Sequence, residues 1–144
     1  IFETFVGDVP PLPELVGIDG SFKHGRDGDK AGIIFPATPT GGASHLEEFS
    51  LGNAEDVATV LSTTYSFGTS PDLDAGVPAA LAQLLCADDC VVTRNTSPLE
   101  PGVVGRKYYA KGIGFFLEIG PEPTDVLQLV DCNVDPRCAA LPSP

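Results

Sequence analysis

The chain has 144 residues, 42% of them hydrophobic, which is enough for one domain with a core, too short for two, and too apolar for disorder. Twenty acidic residues against eight basic ones give a net charge of −12, which repels phosphate backbones and anionic lipid and excludes the usual nucleic-acid and membrane-surface binders. Fourteen prolines and sixteen glycines cut the chain into short elements, a pattern of strands and turns and not of long helices.

In chain order, residues 1–6 read IFETFV, apolar and β-prone, and VPPLPELVG follows. The clustered prolines lock φ and remove amide donors, so residues 9–13 are expected to be extended and too stiff to fold straight back. Residues 1–17 therefore read as an arm, with Ile1, Phe2, Phe5 and Val6 as its apolar grip, and residues 18–144 as a single β-rich domain. Gly25, Gly28 and Gly32 mark a turn-rich stretch leading into a short apolar strand over 32–35. HLEEFSL (45–51) is expected to be a strand. Asn53, followed by Glu55 and Asp56, has the chemistry of a helix N-cap, and Val57, Val60 and Leu61 would be that helix's apolar face. STTYSFG (62–68) reads as a strand, and PAALAQLLCA (78–87) as a helix opened by Pro78. CVVTRNT (90–96) is β-branched and reads as a strand. VVGRKYYA and GIGFFLEI flank Lys111-Gly112 as an antiparallel hairpin with Tyr108 and Phe116 in its core, and DVLQLVD (125–131) alternates as a strand to pair with it.

The four cysteines are spaced C-x3-C and C-x5-C, which suits disulfides in an oxidising compartment better than zinc. Three connectivities are open. Local loops Cys86–Cys90 and Cys132–Cys138 are the expectation, because each pair brackets a turn-like stretch. The expected fold is mainly β, a single antiparallel sheet or sandwich-like domain with two short helices and two disulfides. No run of about 18 apolar residues is present to span a bilayer, so no membrane insertion is expected. With no methionine and Ile1 first, a secreted product with its signal peptide removed, extracellular or at the cell surface, is the expectation.

The runs GSFKHGRDGDKAGIIFPATP, GNAEDVATVLS and VVTRNTSPLEPGVVGRKYYAKGIGFFLEI together resemble a family of uncharacterised secreted bacterial proteins. The resemblance covers roughly residues 18–119 and is most specific at the hairpin, with Ser97 standing where the family pattern has Thr. It implies an extracellular, mostly β domain and brings no reaction and no catalytic residues. Family members have a further β-rich half before the shared segment, whereas only about seventeen residues stand there in this sequence. A half-length sheet would leave an unpaired edge, and the apolar arm of a neighbouring copy could complete it by strand addition. Repeated head to tail, such a contact builds an open filament.

Among candidate sites, Ser44-His45 with Glu47 and Glu48 invites a hydrolase reading, but neighbours on a strand point to opposite faces and no G-x-S-x-G elbow is present. His24 near Asp27 and Asp29 falls short of a zinc ligand set. Asp131, Asn133 and Asp135 match the first half of a calcium loop, D-x-D/N-x-D/N, without its glycine or closing glutamate, so they are the calcium candidates in a chain that otherwise calls for no cofactor. Asn95-Thr96-Ser97 is a glycosylation sequon, and Thr38, Thr40, Thr69 and Ser70 stand beside prolines as candidates for O-linked glycan. The expected function is a non-enzymatic structural subunit of an extracellular assembly whose partners are copies of itself. The alternative is a secreted monomeric binding module for glycan, lipid or cation.

Overall fold

The computed structural model describes residues 22–122 and 124–143, together with the backbone of two short strands, β1 (Glu3–Thr4) and β2 (Leu15–Gly17). These two pair antiparallel, Glu3 opposite Gly17 and Thr4 opposite Leu15, as a ladder separate from the main sheet. The proline run between them lies outside the described residues. The side chains of Ile1, Phe2, Phe5 and Val6 lie outside the described residues.

The main sheet has six antiparallel strands in sequence order: β3 (Ser44–Leu46), β4 (Val57–Tyr65), β5 (Cys90–Thr96), β6 (Val104–Ala110), β7 (Gly114–Ile119) and β8 (Val126–Gln128). The β6–β7 hairpin and the β5 span stand where the sequence put them, and β8 occupies the centre of its expected stretch. Lys111-Gly112 makes the hairpin turn, with Gly112 at φ +82°, a backbone conformation that a side chain strains.

Two expectations fail. Residues 32–35 form no strand. Only Ile33 N–H reaches β3, at Leu46 O (2.8 Å), and Gly32 lies so close to Glu47 O that a Cβ there would stand 1.8 Å from it. The helix expected after Asn53 is instead the first half of β4. Val57, Thr59, Val60, Thr63 and Thr64 are β-branched and stiff, and pairing with β5 on one side and β3 on the other outweighs a single capping residue. The second helix is α1 (Pro71–Asp74), ahead of the expected α2 (Ala79–Leu85). HLEEFSL is a strand only at its start. Beyond Leu46 it bends, touching other backbone at Lys30 opposite Phe49 and Ser50 opposite Ala54.

Both disulfides are the local ones, Cys86–Cys90 and Cys132–Cys138. The first ties the end of α2 to the start of β5. The helices cover one face of the sheet, and the main core lies between: Leu81, Ala82 and Leu85 of α2 pack with Tyr65, Val92, Tyr108, Phe116 and Leu117. Burying each of the large side chains contributes about 1.5–3 kcal/mol. A 3₁₀ helix, Pro136–Ala140, closes the same layer near the end of α2.

Candidate functional site

Strand alternation sends Val91, Thr93 and Asn95 of β5 to the face opposite the helices, together with Val60 of β4 and Lys107 and Tyr109 of β6. The segment between residues 30 and 49 lies over part of this second face. Its clearest anchor is Glu47. The backbone N–H of Glu47 donates to Asp56 O (2.8 Å), and its side chain is 3% exposed. Glu47 Oε2 accepts from Lys107 Nζ at 2.7 Å and from Asn95 Nδ2 at 2.6 Å, and Thr93 Oγ1 donates to Asn95 Oδ1 at 3.0 Å. A buried carboxylate needs such partners, since an unpaired charge in this setting costs several kcal/mol.

Three buried polar atoms on or beside this cluster have no hydrogen-bond partner among the described residues: Glu47 Oε1, His45 Nε2 and Tyr109 Oη. Burial, then the nearby Glu47 charge, pushes the Tyr109 phenol well above its ordinary value. The ring of Tyr109 is held between Phe35 (centroids 4.6 Å) and Phe115 (5.8 Å).

Beside that aromatic stack the face stays open. A groove of about 650 Å³ runs between the 34–39 segment and the tip of the β6–β7 hairpin, lined by Ile34, Phe35, Pro39, Val91, Tyr109 and Phe115. Ile34 is 65% and Phe115 39% exposed, so much of the lining is apolar surface in contact with water. Asp89 and Lys111 are its charged lining residues.

The residues singled out in the sequence fall apart spatially. Asn95 lies mid-sheet on β5, its amide nitrogen given to Glu47. Asp135 turns its carboxylate onto Arg137, whose Nε and Nη2 donate at 2.8 and 2.9 Å, and this lowers its pKa to about 2. Arg137 also donates to Leu85 O and Lys111 O, so it clasps the Cys132–Cys138 loop to α2 and to the hairpin turn. Both Asp135 oxygens are occupied in this way; Asp131 and Asn133 line a pocket on that loop, and among the described residues no three His, Cys, Asp or Glu side chains converge as a metal cage. Ser44 Oγ pairs with Thr59 Oγ1 at 2.8 Å, and His24 Nδ1 accepts from Ala31 N–H. The groove itself escaped the sequence reading. The sequence places Phe35 on a strand and Tyr108 and Phe116 in the hairpin core, and Tyr109 and Phe115, which strand alternation turns to the other face, stand out by no motif.

No family model matches the chain, and no curated protein or solved structure matches it either. Among the described residues, no helix is long and apolar enough to cross a membrane.

Proposed function

We propose that the chain is a structural subunit of an extracellular assembly, joined head to tail to copies of itself through its N-terminal arm. The observation that carries this reading is the apolar arm. The main sheet ends on β3 and β8, strands of three residues each, a length that blunts an edge against pairing, so the arm's apolar side chains and not a sheet edge make the contact. The arm is apolar in sequence, and its strand β1 pairs with β2 outside the six-stranded sheet. An isolated two-stranded ladder is marginal in water, so exchanging it for a neighbour's surface costs little. Two disulfides fit an oxidising, extracellular setting, and the resemblance to secreted bacterial proteins points the same way. Replacing Phe2 and Phe5 together by Ser should convert particles seen by negative-stain microscopy into a species eluting at 15.0 kDa. An unchanged elution volume for the two proteins would contradict the proposal.

A second reading, a secreted binding module, is favoured by the groove, whose volume of about 650 Å³ lies within the range of small-molecule sites, roughly 300–1,000 Å³.

A further inference from the structure

The apolar groove needs an occupant. Isolated exposed apolar residues are ordinary, but Ile34, Phe35 and Phe115 are contiguous around a concavity floored by the Tyr109 ring. We infer that this groove receives the apolar arm, residues 1–6, of a second copy of the chain. The inference rests on the assembly reading above and deepens it by naming the receiving surface, which is the sheet's second face and not an edge strand.

Two observations carry it. The arm supplies Ile1, Phe2, Phe5 and Val6, side chains of the size and chemistry that an Ile- and Phe-lined groove buries. The connection is long enough, since residues 7–21 span up to about 50 Å when extended, against a domain radius of gyration of about 15 Å. A surface patch meeting a distant arm repeats into an open chain when the contact runs one way, and closes as a dimer when two arms are exchanged.

Photocrosslinking of the full chain tests this directly. With Phe2→p-benzoylphenylalanine, an equal mixture of ¹⁴N- and ¹⁵N-labelled protein is irradiated and the adducts are located by mass spectrometry. The expected result is mixed-isotope adducts on peptides carrying Ile34, Phe35 or Phe115, reduced about tenfold or more by Ile34→Glu, the loss that follows from about 1.4 kcal/mol of binding energy. Adducts to the groove within one copy would overturn the proposal, since the arm then covers its own domain. Mixed-isotope adducts on β3 or β8 would overturn the groove and leave the assembly reading standing. Particles that form without groove adducts would do the same. A monomeric sample with no adduct between copies would overturn both.

Discussion

Tyr108 and Tyr109 are consecutive on β6 and have opposite surroundings. Tyr108 is fully buried under the helices, and its hydroxyl donates to Leu73 O at 2.6 Å. Burial raises its phenol to about 12, with the nearby Arg106 charge opposing. Its neighbours on that face are equally well supplied: Tyr65 Oη donates to Asp74 Oδ1 at 2.8 Å, and the Arg106 guanidinium donates to Asp72 O and Ala75 O. Tyr109 faces the other way, buried but with no partner for its hydroxyl, next to an ion pair that leaves one carboxylate oxygen unmatched. One face of the sheet is a finished core. The other combines an incompletely satisfied polar cluster with an apolar groove left in water, and departures from consistent packing of this kind mark functional surfaces.

The largest single-residue effect that sharpens this comparison lies in the ion pair. Lys107→Met leaves the Glu47 carboxylate buried with only Asn95 to support it, and should cost about 3 kcal/mol in urea unfolding, with Glu47→Gln as a second change recovering most of it. A loss below about 0.5 kcal/mol would mean that the pair is a solvated surface contact.

The two tyrosines form the next test. Tyr108→Phe removes a satisfied hydroxyl and leaves the part-buried Leu73 carbonyl without it, so a loss of about 1 kcal/mol is expected. Tyr109→Phe removes a hydroxyl that has no partner and should be neutral or slightly stabilising by the same measurement. Equal costs at the two positions would break the contrast between the faces.

The smallest effect concerns Glu48, at the margin of the second face. Its carboxyl is raised from the ordinary 4.5 by burial, then by the charge and hydrogen bonding of Asp56. A carboxyl raised on folding contributes stability that is present below its unfolded pKa and fades as pH rises through the folded one. Glu48→Gln should therefore be at least as stable as the parent at pH 7 and lose that advantage on acidification below about 4.5. A gap that widens in acid would contradict the sign.

How far the fold was legible follows from how local its causes are. The β6–β7 hairpin, β5, α2 and both disulfides are specified by neighbours in sequence, such as Lys111-Gly112 at the turn or Pro78 ahead of a run of good helix formers. The first half of β4 reads as a helix in sequence because Asn53 offers a local cap, while its β-branched run owes its place to pairing with β5 some thirty residues on. Glu47 and Lys107 lie sixty residues apart and meet only because the sheet brings them together. The groove was hidden for the same reason. Phe35 and Phe115 have ordinary core chemistry, and among the described residues no layer covers them.

Whether that surface is where copies meet is decided by sedimentation velocity on the parent chain and on Ile34→Glu. Ile34 is largely exposed, so the substitution should leave folding stability within about 0.5 kcal/mol. The expected result is a parent that sediments as a concentration-dependent series above 15.0 kDa and a variant that sediments at 15.0 kDa with an unchanged melting temperature. A parent that stays at 15.0 kDa at every concentration, or a variant that associates as strongly as the parent, would contradict the account.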